Sequence, residues 1–178
     1  MTTVTMKHKD LKDTIRDIPD FPKEGIIFKD ITTLLKDKEA FRRSIDLLAE
    51  KFRNEGIEYV VGVEARGFIF GAALALEIGA GFIPVRKKGK LPAKTHKVEY
   101  ELEYGTDILE IHEDAIPENA KVLIVDDLLA TGGTVRAVAD LLKKLNATIS
   151  GVAFLVELKF LNGKDKLKDL PVHSVIQY

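Results

Sequence analysis

The sequence has no cysteine, no strong excess of charge and no long apolar run, and each absence narrows what the chain can be. Without cysteine there is no disulfide, no thiolate metal site and no cysteine nucleophile, which fits a reducing cytosol. The 27 basic and 28 acidic residues leave a formal charge of -1. No molecule-wide field therefore attracts nucleic acid or an anionic membrane, and any anion site must be local. The longest apolar stretches, such as Val152 to Val156, fall well short of the roughly 20 residues that span a bilayer. Residues 1–13 are too polar to resemble a signal peptide. No repeat, low-complexity tract or linker rich in Pro, Gly and Ser divides the 178 residues, which suffice for one domain with a sizeable core. The expectation is a single cytoplasmic domain over residues 1–178.

The order of elements carries the fold. A helical pattern runs from Lys9 to Ile18 and stops at Pro19, and Pro19-Asp20-Phe21-Pro22 forces an extended or turning connection. Phe41, Ile45, Leu48, Ala49 and Phe52 recur at helical spacing, with Gly56 expected to close that helix. Tyr59 to Val63 is a β-branched run of the kind buried on both faces, and it leads through Glu64-Ala65-Arg66-Gly67 into a helix over Phe68 to Ile78. Phe82 to Val85 and Val122 to Val125 read as further strands, the second followed by Asp126 to Thr134 and a helix through Leu145. Ile149 to Leu158 and Ser174 to Tyr178 complete the set. Strands alternating with helices predict an α/β fold with a mainly parallel central sheet flanked by helices, whose ligands sit beyond the carboxyl ends of the strands. One stretch departs from this period: Val98, Tyr100, Leu102 and Tyr104 alternate with Glu99, Glu101 and Glu103 before Gly105-Thr106-Asp107 turns the chain. This predicts a β-hairpin, a flap over residues 92–113.

The most informative stretch is Val122 to Thr134, which joins a buried strand to paired carboxylates and a Gly/Thr turn that opens a helix. Amide groups at a helix start, with about half a positive charge from the macrodipole, bind phosphate well. Gly132 and Gly133 let the backbone approach the phosphate, Thr131 and Thr134 add hydroxyls, Asp126 and Asp127 can accept hydrogen bonds from two ribose hydroxyls, and Ala130 to Thr134 together would hold the 5-phosphate. One loop can thus hold both ends of a ribose 5-phosphate. Either half alone would read as a strand end or a capped turn; the combination at this spacing is what points to a ligand. The missing Gly-Lys-Ser/Thr ending weighs against a nucleotide triphosphatase loop.

With these residues in view, the chain resembles the type I phosphoribosyltransferases. Phe21 to Ile31, Glu64 to Phe68, Arg86 to Pro92, Leu102 to Gly105 and Leu155 to Leu158 extend the likeness in order along nearly the whole chain, and resemble the members that use adenine. The resemblance implies a small N-terminal hood over residues 19–35, a flexible flap, and transfer of the 5-phosphoribosyl group of phosphoribosyl pyrophosphate to adenine, with AMP and pyrophosphate as products. It implies Mg2+ carried on substrate oxygens and water rather than on direct protein ligands, and a homodimer.

The same resemblance assigns Glu103, next to Tyr104 on the flap, to proton exchange with the purine. It assigns Ile27, Phe28 and Lys29 to the base, where relatives often carry arginine in place of Lys29 and its planar fork is lost. Leu129 would close the other side of the base slot. Arg66, Lys87 and Lys88 would meet the pyrophosphate, whose departure builds negative charge, and the Glu64–Ala65 peptide is expected to be cis. For Arg86 to Lys90 a solvated charged face is the alternative, and for Ile26 to Phe28 simple packing. At least two of Glu99, Glu101 and Glu103 are expected to face solvent. His8, His96, His112 and His173 lack metal-ligand spacing, and Glu157 inside an apolar strand reads as structural. Two rivals stay open: a different purine base, or a non-catalytic regulator that keeps the fold and binds nucleic acid.

Overall fold

Buried aliphatic runs become strands and amphipathic stretches become helices, as elementary patterning requires. The computed structural model describes residues 8–101 and 105–178, and the chain divides into two units at Leu47/Leu48. Among the described residues, no helix is long and apolar enough to cross a membrane.

In the first unit, α1 (His8–Asp13) is followed by β1 (Arg16–Pro19), which pairs antiparallel with β2 (Ile27–Asp30). The helix expected to run to Ile18 therefore ends at Asp13. Thr14 turns its hydroxyl back onto the Leu11 carbonyl at 2.7 Å, and the residues beyond it are recruited into the strand pair, where Arg16 meets Asp30 and Asp17 meets Lys29. Cross-strand charge pairs of this kind outweigh a modest helix propensity. The short helix α2 (Thr32–Lys36) and the longer α3 (Lys38–Glu50) follow, α3 leading into the second unit. The Asp37 carboxylate starts α3 by accepting the amides of Glu39 and Ala40 at 3.0 and 3.1 Å. Gly56, with φ +67°, lies in the turn beyond α3 and does not close the helix itself.

The second unit is built on a seven-stranded sheet. In chain order its elements are β3 (Tyr59–Val63), α4 (Arg66–Ile78), β4 (Gly81–Lys87), β5 (Thr95–Glu101), β6 (Thr106–His112), β7 (Lys121–Leu129), α5 (Gly133–Lys144), β8 (Thr148–Glu157) and β9 (Val172–Gln177), with two short 3-10 turns between β8 and β9. The spatial order is β5-β6-β4-β3-β7-β8-β9. The run β4-β3-β7-β8-β9 is parallel, and the β5–β6 hairpin joins it antiparallel through β6 and β4. This is the α/β architecture with a mainly parallel sheet and an appended hairpin. Val61, Val63, Val122, Ile124, Val152 and Phe154 fill the central strands, and Val135, Val138 and Leu142 of α5 cover one face.

Two strands run further than composition suggests. β4 continues through Arg86 and Lys87, and β7 through Asp126 to Leu129, so the segments read as loops are partly strand. Partners on the neighbouring strands supply the reason: Arg86 and Lys87 pair with Glu110 and Leu109, while Asp126, Leu128 and Leu129 pair with Phe154, Val156 and Glu157. Ladder hydrogen bonds on a flanked strand override the polar character of single residues.

Candidate active site

At the carboxyl end of β7 the loop proper is only Ala130, Thr131 and Gly132, after which α5 begins. Gly132 has φ +79°, and a Cβ there would lie 2.4 Å from the Gly163 carbonyl oxygen, so both the backbone conformation and the close approach demand glycine. Asp126, Leu128 to Val135 and Phe154 line a pocket of ≈ 70 Å³. That is room for several waters, the scale of a single phosphate group. The amides around Gly133 and Thr134 head a helix of 12 residues, so the positive end of its dipole faces the pocket. Thr131 is exposed and Thr134 half-buried, while Leu129 is almost fully buried in the pocket's floor.

The two carboxylates at the end of β7 differ. Asp127 is 4% exposed and its Oδ2 stands 2.8 Å from Nε of Arg66, the first residue of α4. Asp126 is half-buried, and its Oδ1 accepts the Asp127 amide at 2.9 Å. Burial, reinforced by the charge of Asp127, pushes the Asp126 carboxyl well above the usual carboxylate range. Burial also pushes Asp127 up, with the Arg66 guanidinium opposing it. α4 sits tight against this end of β7: a Cβ on Gly67 would lie 2.9 Å from Asp126 Oδ1 and 3.0 Å from the Val125 carbonyl. The Glu64–Ala65 peptide that precedes α4 is cis.

The basic segment at the end of β4 and just beyond it is held by two carboxylates, Glu64 half-buried and Glu110 buried. Glu64 accepts the Lys87 amide at 2.9 Å and the Arg86 guanidinium at 3.2 and 3.3 Å. Burial pushes the Glu64 carboxyl up, but the Lys87 amide and the Arg86 guanidinium outweigh it and the net direction is down. Glu110, 2% exposed, accepts the Gly89 amide at 3.0 Å and pairs with Lys97 at 3.1 Å. Arg86 is thereby tied down, and Lys87 and Lys88 are left exposed at the turn, Lys87 pairing with Asp107 at 3.0 Å. The charge run is thus a built turn as well as a solvated one.

Tyr100 on β5 links the two regions. The half-buried phenol interacts with the Thr134 side chain and feels the charges of Asp107, Lys87 and Asp126. Desolvation pushes the pKa of the phenol up from its ordinary value, and the Thr134 interaction opposes that rise. Sequence reasoning missed Tyr100, Asp107, Glu110 and Gly163. Only the alternation along the hairpin hinted at Tyr100, by setting it opposite the glutamates; the other contacts are tertiary and leave no local pattern.

The remaining expected residues belong to other segments of the chain. Ile27, Phe28 and Lys29 belong to β2 of the first unit: Ile27 is 56% exposed, the Phe28 ring meets Phe21 edge-on at 5.2 Å, and the Lys29 ammonium pairs with Asp17 at 2.6 Å. Glu103 and Tyr104 lie outside the described residues. Glu99 and Glu101 do face solvent. Glu157 is buried and paired with Lys164 at 2.7 Å, a structural arrangement. His112 accepts the Ala93 amide at 3.4 Å and His173 packs edge-on against Phe52 at 5.8 Å, and no three His, Asp or Glu among the described residues converge as a metal nest.

Residues 30–174 match the model of the phosphoribosyl transferase domain. An adenine phosphoribosyltransferase from Acaryochloris marina is 59% identical over 169 residues, covering 95% of this chain and 99% of that protein. The crystal structure of adenine phosphoribosyltransferase from Thermoanaerobacter pseudethanolicus is 53% identical and superposes with a TM-score of 0.93 over 97% of this chain and 100% of that one. The Saccharomyces cerevisiae adenine phosphoribosyltransferase, solved in complex with adenine and an imino-altritol bisphosphate, is 44% identical with a TM-score of 0.89, covering 94% and 97% of the two chains. The strand, cradle and helix at Asp126 to Thr134 therefore sit in a scaffold shared from end to end, and the chain belongs to the phosphoribosyltransferase family, among its adenine phosphoribosyltransferases.

Proposed function

We propose that this chain transfers the 5-phosphoribosyl group of phosphoribosyl pyrophosphate to adenine, giving AMP and pyrophosphate in purine salvage. The observation that carries the reading is the cradle at the end of β7: a glycine-gated pocket of ≈ 70 Å³ at a helix start, next to two carboxylates of which one is fixed by Arg66. It supplies donors for a 5-phosphate and acceptors for ribose hydroxyls within one continuous segment.

The chemistry breaks the bond between C1 of the ribose and pyrophosphate and forms a bond from C1 to a ring nitrogen of adenine, whose proton is lost. Asp126 and Asp127 orient the ribose, and Ala130, Thr131, Gly132, Gly133 and Thr134 hold its phosphate. Arg66, Lys87 and Lys88 face the negative charge that builds on the leaving group. Glu103 is assigned to the proton exchange with the purine, flanked by Tyr104. Ile27, Phe28 and Lys29 are assigned to the base, and flap closure excludes water that would hydrolyse the activated sugar. Mg2+ suits this site as part of the substrate: a hard cation that keeps phosphate and water oxygens needs few protein ligands, and it neutralises charge on the pyrophosphate. A homodimer and a cytoplasmic location complete the reading.

The test is a panel of adenine, guanine, hypoxanthine and xanthine, each supplied with phosphoribosyl pyrophosphate and Mg2+ while pyrophosphate release is followed. Release with adenine alone supports the proposal, and an equal or absent response to all four contradicts it. Replacing Glu103 by Gln separates enzyme from regulator: turnover collapses while AMP binding survives. Sedimentation at several concentrations tests the dimer.

A further inference from the structure

Three acidic residues hold the basic turn after β4, and they do so differently. Glu64 and Glu110 bind its backbone, through the amides of Lys87 and Gly89, so they fix the shape of the turn. Asp107, at the start of β6, meets Lys87 only at the ammonium, 3.0 Å away, while its other oxygen accepts the amide of its own neighbour Ile108 at 2.8 Å. The backbone of the turn is already in register without Asp107, because Lys87 stands opposite Leu109 and the Lys88 amide reaches the Ile108 carbonyl at 3.1 Å. The Asp107 carboxylate therefore contributes charge rather than shape.

We propose that Asp107 is a positioning residue that occupies Lys87 as a stand-in anion, and that pyrophosphate binds by displacing it. This rests on the assignment of Lys87 to pyrophosphate made above. The exposure of the pair fits an exchangeable contact, since the Lys87 side chain is 56% accessible and that of Asp107 23%, against 3% for Glu110. A lysine ammonium is a compact charge on a flexible stem, so it can leave one carboxylate for another anion with no movement of the backbone. Asp107 is anchored by the Ile108 amide and cannot follow. Once Lys87 turns to pyrophosphate, Asp107 remains ionised nearby and repels the bound product, which weakens retention and favours release. Its cross-strand partner is Tyr100, which faces Thr134, so this one rung of the hairpin addresses both anion sites, but only Asp107 brings charge to it.

The test is calorimetric titration of the full chain with pyrophosphate in Mg2+, and separately with AMP. Asp107→Asn should tighten pyrophosphate about 3- to 5-fold, the range of one partly exposed charge pair, and leave AMP affinity within twofold. In a Lys87→Met background the same substitution should change pyrophosphate affinity hardly at all, which isolates the contact from a general field effect. Unchanged or weaker pyrophosphate binding by Asp107→Asn overturns the proposal, as does full tightening in the Lys87→Met background. If the unaltered chain binds neither pyrophosphate nor AMP, the phosphoribosyltransferase reading fails and this inference falls with it; if it binds both and the variant behaves like it, this inference alone falls.

Discussion

Nε of Arg66, at the first turn of α4, stands 2.8 Å from the buried Oδ2 of Asp127, near the end of β7. The contact joins the start of α4, which follows β3, to the end of β7, and β3 and β7 are neighbouring strands whose carboxyl ends frame the site. The guanidinium places its charge beside the carboxylate assigned to the ribose, at the end of the sheet where the leaving group is proposed to sit.

Replacing Arg66 by Ala should therefore lower both stability and activity. Asp127 would lose the cation that offsets its burial, at a cost of about 1–3 kcal/mol, below the range for a fully buried pair because Arg66 is half exposed. Chemical denaturation measures that loss. The rate of AMP formation should fall by about 100-fold or more, the usual consequence of deleting one fixed donor to developing charge. Arg66→Lys should recover part of the stability and little of the rate.

Asp126 ties function to pH. Its carboxyl is pushed up in the folded chain, so between the ordinary carboxylate range and the raised value the folded state holds more protons than the unfolded one. Stability then falls as pH rises through that window, and the charged form that accepts ribose hydroxyls is gained at the cost of stability. Asp126→Asn should flatten this pH dependence and raise the melting midpoint at neutral pH, by about 2–4 °C for each kcal/mol recovered. Ribose 5-phosphate affinity should drop in the same variant, and in the unaltered protein it should weaken on the acid side at a higher pH than an ordinary carboxylate would give. Melts and titrations across pH check both.

Gly132→Ala should disable the cradle. The added methyl meets a carbonyl oxygen at 2.4 Å in a backbone conformation of positive φ, so either the loop or the segment at Gly163 must shift. A destabilisation above about 2 kcal/mol is expected, together with loss of phosphate affinity. Thermal melts and AMP titration measure the two separately.

Much of this was legible in the residues themselves. Tyr59 to Val63 is a strand over the same residues that its β-branched run marks, because both of its edges and most of its side chains are buried. The segment Asp126 to Thr134 is the strand end, short turn and helix start that its residues mark. What stayed hidden was set by partners distant in sequence. Residues 16–19 became a strand because Asp30 and Lys29 lie opposite Arg16 and Asp17. Asp126 and Asp127 stayed in strand because β8 pairs alongside them. The Lys87–Asp107 and Tyr100–Thr134 contacts arise only when the hairpin folds beside β4 and over α5, and spacing along the chain gives no sign of either. Glu103 and Tyr104 were reachable only by resemblance to relatives.

The central claim is that the turn after β7 is the seat of the sugar phosphate, and amide resonances report on it directly. On titration with ribose 5-phosphate, the N–H signals of Ala130, Thr131, Gly132, Gly133 and Thr134 should shift together and saturate along one binding curve, while those of β9 stay still. Signals in that turn that remain unmoved at saturating ligand would contradict the account.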